Sequence, residues 1–173
     1  TDLPNLVHRG KVRDTYDLGD GLLLMVATDR ISAFDVVLPN GVPNKGLILA
    51  KMSAFWFGQT AHIVTNHLVG LAEELVNDMP QLASLPTEIV QRSMVVKRAQ
   101  RIDVECIVRG YIAGSAWAEY SSNATISGQS APSGLQEGQV LPKPLFTPTT
   151  KAEEGHDENM AYEEVVSLVG EKQ

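Results

Sequence analysis

The chain has 173 residues, 43% hydrophobic and 20% charged, so it can bury a core and carries too little charge for a disordered polymer; its length suits one domain, or a small domain plus part of a second. Fourteen Lys and Arg against 21 Asp and Glu leave a formal net charge of −7, which argues against a nucleic-acid partner but not against a small anion held by a few placed cations. A single cysteine, Cys106, forbids an intramolecular disulfide, no apolar run is long enough to span a bilayer, and the opening T-D-L-P-N-L has no signal-peptide pattern, so the expectation is a cytoplasmic protein with no membrane partner.

Residues 8 to 28 read as a hairpin, with Gly19-Asp20-Gly21 as the turn and the apolar run L-L-L-M-V-A after it. A short apolar stretch, Val36 to Leu38, ends at the turn signal Pro39-Asn40-Gly41. From Gly46 to Ile63 the residues Ile48, Met52, Phe55, Trp56 and Ile63 recur at helical spacing and predict a helix with one apolar, core-facing side. A polar, Pro-containing connection covers residues 77 to 88. Met94 to Val96 and Val104 to Val108 read as strands joined by the basic link Lys97-Arg98-Ala99-Gln100-Arg101, and Ala116 to Ser121 as a short helix opened at Gly114-Ser115. Residues 122 to 150 show little periodicity, and Asn159 to Val169 reads as a last helix. The pattern predicts an α+β protein with a boundary near residue 88: a β-rich N-terminal domain with a helix over residues 1 to 88, and the incomplete start of a larger α+β domain over 89 to 173.

Four segments are dense in chemistry. In V-R-G-Y-I-A-G-S, Arg109 ends a strand with a guanidinium fork suited to phosphate, Gly114 permits close backbone approach, and Ser115 opens a helix whose first N–H groups are unpaired. The bland alternative is a surface Arg and a routine Ser cap. In R-G-K-V-R-D, the alternation of Arg9, Lys11 and Arg13 predicts three cations on one strand face, where they either meet an anion such as a triphosphate or simply face solvent. In A-T-D-R-I-S-A-F-D, the residues Asp29, Arg30, Ser32 and Asp35 sit at a strand end; the alternative is a turn in which Asp29 pairs with Arg30. In F-T-P-T-T-K-A-E-E-G-H-D-E-N, three Thr and Lys151 suit a substrate carboxylate, and the carboxylates from Glu153 to Glu158 suit Mg²⁺ or form an exposed acidic loop. Cys106, Trp56 and Trp117 read as core residues, and His62 and His67 form no metal pattern.

The pieces G-K-V-R-D-T-Y, A-T-D-R-I-S-A-F-D, E-C-I-V-R-G-Y-I-A-G-S-A-W and F-T-P-T-T-K-A-E-E-G-H-D-E-N, in this order, resemble the SAICAR synthetase family, the phosphoribosylaminoimidazole-succinocarboxamide synthases of purine biosynthesis. The resemblance runs over essentially the whole chain; one departure is Asp103, where the family more often has proline. It implies an ATP-dependent ligase that joins L-aspartate to the carboxylate of carboxyaminoimidazole ribonucleotide, with Mg²⁺, and an antiparallel β-rich domain beside an α+β domain with ATP between them. Residue by residue it implies Lys11 and Arg13 at the ATP phosphates, the backbone of Lys97 to Ala99 at adenine and Glu105 at the ribose. It puts Arg109 and Ser115 on the ribonucleotide 5′-phosphate, Ser32 and Asp35 near the reacting carboxylate or the aspartate, and Lys151 and Asp157 in the substrate and metal region, Asp157 as metal ligand. A homo-oligomer is left open. The family continues to an acidic D-x-K-x-E-[FI]-G strand and a later metal-binding Asp, neither of which occurs up to Gln173, so the resemblance also implies an incomplete chain. The alternative reading is a non-catalytic nucleotide-binding fragment of such an enzyme.

Overall fold

The computed structural model describes residues 2–33, 36–151 and 158–170, and the chain forms two compact units, residues 1–100 and 101–173. The fold is α+β.

The first unit is built from strands β1 (Leu6–Arg9), β2 (Arg13–Gly19) and β3 (Leu22–Ala27), a small pair β4 (Ser32–Ala33) and β5 (Val36–Val37), helix α1 (Lys45–Thr60), strand β6 (Leu68–Leu71), three short helices α2 (Ala72–Leu75), α3 (Pro80–Ala83) and α4 (Thr87–Gln91), and strand β7 (Ser93–Lys97). Five of the strands make one antiparallel sheet in the order β1-β2-β3-β7-β6. The predicted hairpin is β2–β3: Gly19, Asp20 and Gly21 all take positive φ, a conformation that glycine adopts without penalty. The expected boundary near residue 88 is corrected. Residues 93 to 97 pair with both β3 and β6, so they complete the first sheet, and the first unit runs on to Gln100.

Strands β3 and β7 are central and apolar on both faces, as a strand must be when each face is covered. On one face Tyr16, Leu24, Val26 and Val95 pack with Ala72, Leu82, Ile89 and Val90 from α2, α3 and α4. On the other, Ala27, Met94 and Val96 pack with Leu71 and with Ala50 of α1, flanked by Ala54 and Phe57.

Helix α1 forms where its periodicity places it, but the expected core face is the wrong one. Ile48, Met52, Phe55 and Trp56 are each at least half exposed, and Ile63 lies beyond the helix and is exposed too. The buried side is the one with small residues. Gly46 explains the choice: a Cβ built there lies 2.4 Å from the carbonyl oxygen of Ala27. The helix approaches the sheet closely through Gly46 and Ala50, and that contact sets its rotation.

The second unit contains β8 (Val104–Glu105), β9 (Val108–Tyr111), α5 (Ser115–Asn123), the small pair β10 (Thr125–Ile126) and β11 (Gln129–Ser130), β12 (Val140–Phe146), β13 (Thr149–Thr150) and α6 (Tyr162–Val169). Its core gathers Ile112, Ala116, Ile126, Leu135 and Leu141, with Trp117 packed against them. The predicted strand from 104 to 108 is two, because the chain leaves the ladder at Cys106 and Ile107; Cys106 is exposed rather than a core residue. The segment 122 to 150, which shows little periodicity, holds β10 to β13. In β12 the run L-P-K-P-L-F hides a strand behind Pro142 and Pro144. Among the described residues it pairs only with β9, and its register shifts between Val140 and Leu145, across the prolines that cannot donate to a ladder. The last helix starts at Tyr162, later than predicted, because Asn159 is taken into a bridge with Thr149.

Candidate functional site

In the first unit the candidate residues surround a tight turn. Strand β1 ends at Arg9 and β2 begins at Arg13, so Lys11 lies in the turn and the expected single strand face of three cations does not form. Gly10 N–H donates to the Arg13 carbonyl at 2.8 Å. The other carbonyls of the turn are held from the end of β3. Arg30 donates from Nη2 to the Gly10 oxygen at 3.0 Å and from Nε to the Lys11 oxygen at 3.2 Å, and Thr28 donates to the Val12 oxygen from both its hydroxyl (2.8 Å) and its N–H (3.0 Å).

Arg30 also grips Asp14, at 3.1 Å from Nη1 and 2.6 Å from Nη2. The Asp14 side chain is fully buried. Burial alone pushes a carboxyl upward, but the Arg30 hydrogen bonds and charge outweigh it and hold Asp14 below the ordinary carboxylate value. The turn in which Asp29 pairs with Arg30 is therefore not what forms. Asp29 instead accepts from Gly46 N–H at 2.8 Å and caps α1 from a distance, which Asn44 at the helix start does not do.

Ser32 lies in β4, opposite Val37, half-buried; Asp35 lies outside the described residues. Lys97 is exposed at the end of β7, opposite Leu22, and its N–H donates to the His67 carbonyl at 2.8 Å. Ala99 is exposed in the following link, whose course is fixed by Arg98: its N–H donates to the Gly21 oxygen at 2.7 Å and its Nη2 to Asp17 at 2.7 Å.

In the second unit Arg109 and Ser115 come together. Arg109, in β9, donates from Nη2 to the Ser115 hydroxyl at 2.9 Å, from Nη1 to the Ala113 carbonyl at 3.4 Å and from Nε to the Thr147 hydroxyl at 3.0 Å. Ser115 opens α5 behind Gly114, whose φ of 59° and ψ of −132° suit glycine. Thr147 is buried, and its own hydroxyl donates to Ile107 at 3.4 Å. The sequence marks Thr147 only as one of three threonines. Its pairing with Arg109 spans 38 positions and depends on β9 lying against β12, with Leu145 opposite Arg109.

Glu105 of β8 and Lys151, the residue after β13, form an ion pair; Thr149 stands opposite Glu105. Asp157 lies outside the described residues, as do Glu153, Glu154 and His156. Among the described residues no group of three or more His, Cys, Asp or Glu is placed to hold a metal ion. Thr150 and Glu158 are joined by Thr150 N–H donating to the Glu158 oxygen at 2.8 Å and Glu158 N–H to the Thr150 hydroxyl at 2.9 Å.

Glu119 of α5, which has no sequence signature, anchors this region. Its carboxylate accepts from the Thr125 hydroxyl (2.8 Å), the N–H groups of Ser127 (3.0 Å) and Gly128 (2.9 Å), and the Asn159 amide (2.9 Å). Burial pushes Glu119 up, and these donors outweigh it and hold it below its ordinary value.

The sequence pattern of SAICAR synthetases matches residues 6–173. The phosphoribosylaminoimidazole-succinocarboxamide synthases of Thermodesulfovibrio yellowstonii and Desulforapulum autotrophicum are 51% and 52% identical over 168 residues, covering 96% of this chain and 56% of each relative. A solved structure of SAICAR synthase from Saccharomyces cerevisiae complexed with SAICAR superposes with a TM-score of 0.87 at 46% identity, covering 99% of this chain and 58% of that one. The chain thus spans a little over half the length of the relatives it matches.

Proposed function

The chain belongs to the SAICAR synthetase family, and from that membership we propose that it carries the ATP- and ribonucleotide-binding part of a ligase joining L-aspartate to carboxyaminoimidazole ribonucleotide. In this reading a carboxylate oxygen of the ribonucleotide attacks the γ-phosphorus of ATP, and ADP leaves. The amine of aspartate then attacks the acyl phosphate carbon, phosphate departs with the bonding pair, and the nitrogen gives up a proton. Little of this is covalent work for the protein; its task is to place the substrates and spread charge on the transferred group.

The observation that carries the reading is the convergence of Arg109 and Ser115, from one motif, with Thr147, from another, on one point. A guanidinium has five N–H donors in a planar fork, and three are used in these contacts. The remainder, with the Ser115 hydroxyl and the first N–H groups of α5, suit a phosphate dianion. Lys11 and Arg13 face the ATP phosphates, the backbone of Lys97 to Ala99 takes adenine, and Glu105 turns from Lys151 to the ribose hydroxyls. Ser32 and Asp35 serve the reacting carboxylate or the incoming aspartate, and Lys151 and Asp157 complete the substrate region. Asp157 would hold Mg²⁺, which would help spread the charge of the phosphates. A cytoplasmic location belongs to the same reading.

Calorimetry with carboxyaminoimidazole ribonucleotide and with ADP, together with an ADP-release assay containing ATP, the ribonucleotide and aspartate, tests it. Ribonucleotide binding that Arg109→Ala weakens strongly while ADP binding persists supports it. Binding of both ligands with no turnover under any combination turns the reading to a non-catalytic nucleotide-binding fragment. Binding of neither refutes both.

A further inference from the structure

Arg30 spends its guanidinium in two directions. One edge closes on the buried Asp14 carboxylate, which fixes the plane of the fork. The other reaches the carbonyl oxygens of Gly10 and Lys11, while Thr28, two residues earlier, takes Val12. With the Arg13 oxygen accepting from Gly10 N–H, every carbonyl from residue 10 to residue 13 is held by a named donor. An ion pair that served stability alone would need only Asp14. The bonds to consecutive loop carbonyls fix the backbone from which the Lys11 and Arg13 side chains branch, and a turn ordered before a ligand arrives loses less conformational freedom on binding.

We infer that Arg30 is a positioning residue for ATP, acting through the Gly10–Arg13 turn. The inference rests on the reading that places Lys11 and Arg13 at the ATP phosphates. Arginine is needed because its fork meets a carboxylate and two carbonyls at once, whereas a lysine ammonium is a single point.

The test is ATP titration by calorimetry on the chain with Arg30→Lys, Arg30→Gln, Lys11→Ala and the double variant Arg30→Gln/Lys11→Ala, with amide hydrogen exchange at residues 10 to 13. Arg30→Gln is expected to weaken ATP about tenfold, to speed exchange across the turn, and to leave ribonucleotide affinity unchanged. Arg30→Lys does not rescue. The double variant is expected to fall short of the sum of the two single losses, since Arg30 acts on ATP partly through Lys11. Thr28→Val removes one turn bond and leaves the buried pair intact, so it stands in should the Arg30 variants fail to fold; a several-fold loss of ATP affinity supports the inference, and an unchanged affinity overturns it. If Lys11→Ala weakens ATP while the folded Arg30 variants do not, or if the effects simply add, the inference falls and the ATP site stands. If Lys11→Ala has no effect, the reading of the ATP site falls and takes the inference with it.

Discussion

Replacing Arg109 with alanine separates ligand binding from folding, because its neighbours can absorb the loss. The Thr147 hydroxyl is buried but keeps the Ile107 carbonyl as its acceptor at 3.4 Å, and Ser115 is exposed, so water takes the place of the guanidinium there. With no orphaned buried group, the fold loses roughly 1 kcal/mol. A phosphate that loses a charge-assisted, two-bond contact loses more, about 2–3 kcal/mol, or roughly 30- to 150-fold in Kd. Calorimetry with carboxyaminoimidazole ribonucleotide and, separately, with ADP reads the difference, and a urea melt reads the fold. The expected result is a large loss for the ribonucleotide, little change for ADP and a small shift in midpoint. Equal loss of both ligands by a folded variant removes Arg109 from the phosphate role.

Gly46→Ala sets a small gain in helix propensity, up to about 1 kcal/mol, against a Cβ placed 2.4 Å from a backbone oxygen; the contact wins, and the variant should be less stable by about 2 kcal/mol in urea. A midpoint equal to or above that of the parent refutes the close approach of α1. Trp56→Ala should cost about 1 kcal/mol or less, since the ring is 57% exposed and rests edge-on against Phe55; a loss of about 3–5 kcal/mol, typical of a core aromatic, contradicts the orientation of the helix. Asp14 and Glu119 are both held below their ordinary values of 3.8 and 4.5 in the folded chain. Their contribution to stability is therefore full above about pH 5 and lost as pH falls through those values and on through the lower folded ones. Glu119→Gln should flatten the acid limb of a urea-midpoint profile against pH, and an unchanged limb shows that the carboxylate carries no such linkage.

The parts of this protein that the sequence determined are those set by neighbours in the chain. Gly19-Asp20-Gly21 makes a hairpin because the turn needs positive φ in place, and Gly114-Ser115 opens a helix for a similarly local reason. The order of the four motifs likewise identifies the family from the residues alone. Tertiary structure decided the rest. Periodicity located α1 and its apolar stripe, yet which side faces the sheet was settled by the fit of Gly46 against Ala27, a contact between distant segments. Arg30 had an acid beside it in sequence and took Asp14, 16 positions away, because β2 pairs with β3 and buries that carboxylate within reach. Arg109 found Thr147 through the register of a strand that two prolines conceal. A local pattern says what a side chain can do; the pairing of strands says which group it meets, and the partner decides whether a charge is a cap, a clamp or a binding site.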